Sequence, residues 1–379
     1  MSVWMKPPSS PQDMRMDNGK LIIDNYQLPT LLFLLLFLLT PSPPPVVDVG
    51  AQQIVHTTHP IVAVHTRLAD EVEEWKVKRT LELVREMGAV SIVEFFPWAY
   101  YEREKGVYDW THTDMVMRHA RAQGLTVIAR MGLTPDWARP PDSPLTYLAP
   151  DAYADYATFT AVFAQRYQDD VAAIIIGNEP NLSYEWGYRQ TTAADYVALL
   201  AAVFPQVKAV APDVLLLGGA LAPTLEPAGS PNGTNDLLYL RELYEAGGMA
   251  YWDGLAVHSY GRTFPPDADP APDVINFRRV ELLRDIMVEF GDADTPIFIT
   301  EMGWNDHPRW TQAVRPSARM QYTLDAFTLA EGWDFVEITA VWQFRTPAPT
   351  KSYMDYYTLV TPEFVNKPIY EAIKGYTGN

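Results

Sequence analysis

From residue 61 to residue 343 the chain repeats one unit: a short apolar run followed by a longer stretch with helical spacing. The runs are Ile61–Thr66, Val90–Phe96, Thr126–Met131, Ala173–Gly177, Val214–Gly218, Gly254–His258, Pro296–Thr300 and Ile338–Gln343. Each is continuously apolar rather than alternating, which marks strands covered on both faces, as in a parallel sheet wrapped by helices. The stretches between them, Glu71–Met87, Thr113–Gln123, Ala152–Tyr167, Ala193–Val210, Asp236–Ala246, Val274–Phe290 and Ala318–Ala330, read as helices, with a last one near Lys367–Tyr376. Gly88, Gly124, Gly291 and Gly332 fall where a left-handed cap would end a helix before the next strand. Eight such units predict an α/β fold, a (β/α)8 TIM barrel forming one domain over residues 55–379. An open doubly wound sheet would begin with a phosphate loop, and neither GxGxxG nor GxxxxGK[ST] occurs.

The segment before the barrel has a different character. Leu28–Leu39 reads LPTLLFLLLFLL, about 12 apolar residues or about 18 Å of helix. That is short of the roughly 20 residues a bilayer core requires and suits the apolar region of a signal peptide. The Pro-rich TPSPPP that follows, from Thr40 to Pro45, cannot continue a helix. Residues 1–54 are therefore expected to be a signal peptide or anchor with a linker. The protein is expected to be secreted or extracytoplasmic, with membrane contact only through this segment.

Lys and Arg number 29 against 47 Asp and Glu, a net charge of −18. A nucleic-acid partner is disfavoured, because phosphate contacts need clustered cations. The chain has no cysteine, which excludes a thiol nucleophile and a Cys-based zinc site. His56, His59, His65, His112, His119, His258 and His307 are scattered and form no HExxH pair, so neither a catalytic metal nor another cofactor is expected. Asp267 and Asp269, in the loop PPDADPAPD, read as solvated acids rather than calcium ligands.

In a barrel of this kind chemistry sits at the C-terminal ends of the strands. The fourth run ends in Asn178-Glu179-Pro180, the sixth in His258-Ser259-Tyr260, and the seventh in Thr300-Glu301-Met302-Gly303-Trp304. Two glutamates thus leave apolar strands on opposite sides of one narrow mouth. One strand-end glutamate is commonly a salt-bridge partner. Two that converge are what glycosidic cleavage needs: a neutral carboxyl to protonate the departing oxygen and an ionised one to attack the anomeric carbon.

These residues are familiar as a set. Asn178-Glu179-Pro180 after strand 4, His258-Ser259-Tyr260 after strand 6 and Glu301 after strand 7 resemble clan A of the glycoside hydrolases. The segment FPWAYYEREKGVYDW, with GLTVIARMGLTPDWA beyond it, is most similar to family 39 and to family 5-type enzymes. The resemblance spans about residues 60 to 345. It implies a retaining glycosidase with Glu179 as acid/base and Glu301 as nucleophile. It further implies that Asn178 holds the sugar 2-hydroxyl, that Tyr260 donates to Glu301 with His258 nearby, and that Trp342 floors the sugar. Many relatives carry an arginine at the end of strand 2, where this chain has Ser91-Ile92-Val93-Glu94-Phe95. Arg67 or Arg130 would then supply the positive charge, or the nucleophile is tuned otherwise.

The chain holds 11 Trp and 21 Tyr, and Trp98, Trp137, Tyr184, Trp186, Trp304 and Trp342 fall in strand ends or loops. Sugar rings stack their C–H faces on such rings. Trp342, then Trp98 and Trp304, are the expected platforms for an oligo- or polysaccharide, with Tyr184 and Trp186 behind them. The competing expectation is a carbohydrate-binding barrel without turnover. An aldolase would need a strand-end lysine, and a metallohydrolase a His/Asp cluster.

Overall fold

The structure, a computed structural model, describes residues 47–379 together with Met16–Asp17 and Lys20–Leu21, two short strands that pair antiparallel. The Leu28–Leu39 export segment and the Pro-rich stretch from Thr40 to Pro45 lie outside the described residues. The contacts divide the chain into two compact units, residues 1–48 and 49–379.

The second unit is a closed barrel of parallel strands: β1 Val62–His65, β2 Ser91–Pro97, β3 Thr126–Gly132, β4 Val171–Ile176, β5 Leu215–Leu221, β6 Gly254–Tyr260, β7 Ile297–Gly303 and β8 Val336–Val341. Closure is made by β8 against β1, with Thr339 opposite Val62 and Val341 opposite Val64. The helices are α1 Glu74–Glu86, a short α2 Trp98–Tyr101, α3 Thr111–Ala122, α4 Tyr153–Tyr167, α5 Ala193–Val210, α6 Asp236–Glu245, α7 Arg279–Glu289, α8 Pro316–Glu331 and α9 Pro368–Tyr376.

The unbroken apolar runs now have their physical reason. Alternate residues enter two separate buried layers. Ala63, Val93, Ile128, Ala173, Ile175, Leu217, Ala256, Phe298 and Ala340 fill the barrel interior. Their neighbours Val62, Val64, Ile92, Val127, Ile174, Leu216 and Ile299 pack outward against the helices. Alanines alternate there with Val, Ile, Leu and Phe, because the interior of an eight-stranded barrel is just wide enough to be filled by side chains.

Element boundaries differ from expectation where backbone geometry outweighs composition. β5 runs three residues past Gly218, through Gly219 at φ 91° and Ala220 at φ 52°, with a register shift against β6. β7 extends to Gly303, so Glu301 belongs to the strand rather than to the loop after it. The helix expected from Val274 begins only at Arg279, since Asn276 donates its amide to the Ala268 and Asp269 carbonyls and holds the preceding stretch as a turn. α9 closes the unit, with Tyr370 donating to the Leu83 carbonyl of α1 at 2.9 Å.

Candidate active site

Glu179 lies three residues beyond the end of β4, in a left-handed backbone conformation at φ 41°. Non-glycine residues rarely adopt this conformation unless the surroundings impose it. Buried Asn181 imposes it here. Its side-chain amide donates to the Ala222 and Thr234 carbonyls, and its oxygen accepts from the Ala222 N–H. The Glu179 N–H donates to Ala220 O at 3.1 Å. The irregular end of β5 and the turn that carries Glu179 therefore form one clamp.

Glu301 lies opposite, buried near the end of β7 and in register with His258 on β6. An oxygen of Glu179 and an oxygen of Glu301 lie within 4.8 Å of each other. Both Glu301 oxygens have donors: Tyr260 Oη at 2.6 Å from Oε2, and Arg130 Nη1 at 3.2 Å from Oε1. Burial and the Glu301 charge push the Tyr260 phenol well above its ordinary range, so it remains a donor. Arg130 Nη1 also donates to Asn178 Oδ1 at 2.6 Å. Of the two arginines weighed from the sequence, Arg130 is therefore the one beside Glu301, while Arg67 pairs with Asp70 at 2.6 Å.

Glu94, on β2, has a different task. It is fully buried and accepts from Thr66 Oγ1 at 2.6 Å, Leu68 N at 2.8 Å and Ala69 N at 3.1 Å, fixing the loop after β1. Burial still holds its carboxyl above the usual carboxylate range.

Two histidines face the carboxylates. His258 Nδ1 donates to Glu179 Oε1 at 2.8 Å and lies 3.7 Å from Glu301 Oε2. Burial by itself would lower its proton affinity, but the Glu301 charge and the Glu179 hydrogen bond outweigh burial and raise it. His65, at the end of β1, goes the other way: burial, then the Arg130 charge, push it down to about 3. Its Nδ1 donates to the Thr66 carbonyl at 2.9 Å, which leaves Nε2 as an acceptor 3.6 Å from Glu301 Oε1. That Nε2 is buried with no hydrogen-bond partner among the described residues. A ligand hydroxyl would satisfy it.

Glu185, in the loop after β4, also lines the cleft. Burial, with the Glu179 charge behind it, pushes Glu185 up to about 7. The cleft itself has a volume of about 610 Å³ and is lined by Asn178, Glu179, Tyr260, Glu301 and Trp342 among others. The Trp342–Gln343 peptide is cis. Tyr184 stands on the rim and donates to Glu179 Oε2 at 3.2 Å. Trp186 also borders the cleft but is almost fully buried.

Trp98 and Trp304 are not part of this cleft. Trp98 is fully buried, edge-on to Trp137 and Tyr156, and donates to Glu102 at 2.6 Å. Trp304 packs against Phe277, fills the space beside Gly261 and donates to Phe264 O at 2.7 Å. The short α2 turns Trp98 into the helix layer, and Trp304 follows a strand that is longer than expected. Neither forms the sugar platform expected of it. Trp137, too, lies outside the cleft lining and donates to the Glu102 carbonyl.

Glu179, His258 and Glu301 also present the donor types that a divalent cation could use, all within 4.8 Å. Arg130 already lies 3.2 Å from Glu301, and a hydrogen bond already joins His258 to Glu179.

No protein-family model and no curated protein matches the chain. Solved structures do. A family 39 glycoside hydrolase from Bacteroides cellulosilyticus WH2 superposes with TM-score 0.69 at 21% identity, covering 86% of this chain and 65% of that one. The chain thus spans just under two thirds of that enzyme's length. A GH5_18 protein from Streptomyces cattleya, solved in complex with GlcNAc, gives TM-score 0.62 at 16% identity, covering 86% of this chain and 80% of that one. A psychrophilic family 10 endo-beta-1,4-xylanase gives 0.53 at 17%, covering 83% and 96%. This chain has their fold.

Proposed function

We propose that the protein is a retaining O-glycoside hydrolase acting on an oligo- or polysaccharide by double displacement. The observation that carries this reading is the Glu179–Glu301 pair at the barrel mouth, with carboxylate oxygens within 4.8 Å. Carboxyl groups about 5–5.5 Å apart lead to retention, and a water-mediated inverting attack needs about 6.5–9.5 Å.

In the first step Glu179 gives its proton to the glycosidic oxygen while Glu301 attacks the anomeric carbon. The bond to the departing alcohol breaks and a glycosyl ester forms on Glu301. In the second step Glu179 takes a proton from water, the water oxygen attacks the anomeric carbon, and Glu301 is released as carboxylate. Tyr260 and Arg130 hold the Glu301 oxygens in place and balance the charge that returns there. Asn178, oriented by its bond from Arg130, is placed to contact a hydroxyl of the bound ring, and Trp342 provides its floor. The likeness to glycoside hydrolases of families 39, 5 and 10 supports the same assignment.

Turnover of a panel of aryl glycosides and polysaccharides tests it. Glu301→Gln and Glu179→Gln should each lose several orders of magnitude in kcat while keeping the wild-type thermal transition. Near-normal activity in either variant contradicts the assignment, and binding without turnover by the wild type would make the barrel a carbohydrate-binding protein.

A further inference from the structure

The cleft has a wall that the catalytic pair does not use. Trp310, in the loop after β7, stacks on Tyr353 from the loop after β8, with ring centroids 4.6 Å apart. Tyr357 joins these rings to the floor, meeting Trp310 at 6.4 Å and Trp342 at 5.2 Å, both edge-on. Aromatic surface therefore runs from Trp342 to the rim, where Tyr353 is 42% exposed. Arg262, two residues past the end of β6, lines the same cleft and donates to the side chain of Gln312.

Arg262 differs from its neighbours in charge balance. The other arginines lining the cleft are paired, Arg67 with Asp70 at 2.6 Å and Arg130 with Glu301 at 3.2 Å. Among the described residues no carboxylate lies within ion-pair distance of Arg262. Its backbone is also left-handed, at φ 54°, a conformation that costs a non-glycine residue energy and recurs at ligand clamps.

We propose that this wall is a subsite for an acidic sugar residue flanking the one whose bond is cut. The inference rests on the glycosidase reading and adds a substrate class to it. Trp310 and Tyr353 take the apolar face of the flanking ring. Arg262 binds its carboxylate or sulfate, since a guanidinium fork matches both anions with two parallel hydrogen bonds. The protein's net charge of −18 repels an anion at long range. Salt screens that field over about 8 Å, whereas a contact inside the cleft is screened much less, so the preference is set locally by Arg262.

Calorimetric titration of the Glu179→Gln protein tests the proposal. The probes are uronate-bearing xylo- and gluco-oligosaccharides, the same oligosaccharides after carboxyl reduction, and sulfated galactan oligosaccharides with their desulfated forms. Acidic members of one arm should bind about tenfold or more tightly than their neutral counterparts, and that arm identifies the anion. Adding Arg262→Gln should abolish the preference, bringing the affinity for acidic members down to that for their neutral counterparts. Arg262→Lys should keep part of it, and Trp310→Ala should weaken acidic and neutral ligands alike. Equal affinity within every pair, or a preference that survives Arg262→Gln, overturns the subsite. If the wild type still hydrolyses neutral glycosides in that case, the glycosidase reading stands without it. Failure to bind or hydrolyse any glycoside overturns both.

Discussion

His258 Nδ1 lies 2.8 Å from Glu179 Oε1, joining the proposed acid/base carboxyl to a buried imidazole that also lies 3.7 Å from Glu301 Oε2. The sequence spacing of these groups conceals their closeness, which arises because β6 sits beside β7 and places His258 opposite Glu301. In the proposed mechanism this contact orients Glu179 toward the leaving oxygen.

His258→Gln should therefore lower kcat by about 10- to 100-fold, the worth of one charge-assisted hydrogen bond. The proton affinity of His258 is raised in the folded protein, so its stabilising contribution is complete below about pH 6.5 and disappears as pH rises through the folded value. Melting curves across pH should show the largest loss for His258→Gln in acid and a shrinking one in alkali. A loss that grows with pH would contradict the geometry.

Glu185 titrates in the opposite sense to an ordinary paired carboxylate. Burial pushes it up to about 7, so the folded state binds its proton more tightly than the unfolded chain, where a glutamate releases it near pH 4.3. The contribution of that proton to stability is present in acid and lost as pH rises from about 4.3 through 7. Glu185→Gln should match the wild type in melting temperature at pH 4 and exceed it at pH 8. An equal or lower melting temperature at pH 8 would show that Glu185 is stabilised as a carboxylate.

Trp304 separates packing from binding. Truncating this buried ring to alanine should cost about 3–5 kcal/mol of stability, measured by denaturant unfolding. Sugar affinity of the protein that remains folded should change less than twofold. Trp342→Ala should do the reverse and weaken sugar binding with a smaller stability loss. An affinity loss for Trp304→Ala as large as that for Trp342→Ala would return Trp304 to the cleft.

The contrast between these tryptophans marks how much the sequence reveals. Glu179 and Glu301 are legible because each follows an apolar run, and a barrel sends the ends of all such runs to one mouth. Arg130 is half legible: the need for a cation near Glu301 can be stated from the sequence, but choosing it over Arg67 requires knowing which strand residues point inward. His65 becomes a neighbour of Glu301 only when β8 closes on β1, a pairing no local signal announces. Trp98 and Trp304 mislead because an aromatic after a strand suits a sugar platform or a helix-layer contact equally well, and only the turn that follows decides. Trp310, Glu185 and Arg262 sit in loops whose course is set by tertiary contacts, such as the Asn305 amide donating to Tyr353 O at 2.7 Å. No periodicity marks them.

In the proposed mechanism a carboxylate oxygen of Glu301 carries the sugar between the two steps. Once the aryl glycoside panel has identified a substrate, its 2-deoxy-2-fluoro analogue with a good leaving group should inactivate the enzyme. Peptide mass mapping should then find one fluoroglycosyl group on the peptide containing Glu301. A label on a different carboxylate, or no label from an enzyme whose first-formed product has the inverted anomeric configuration, would contradict it.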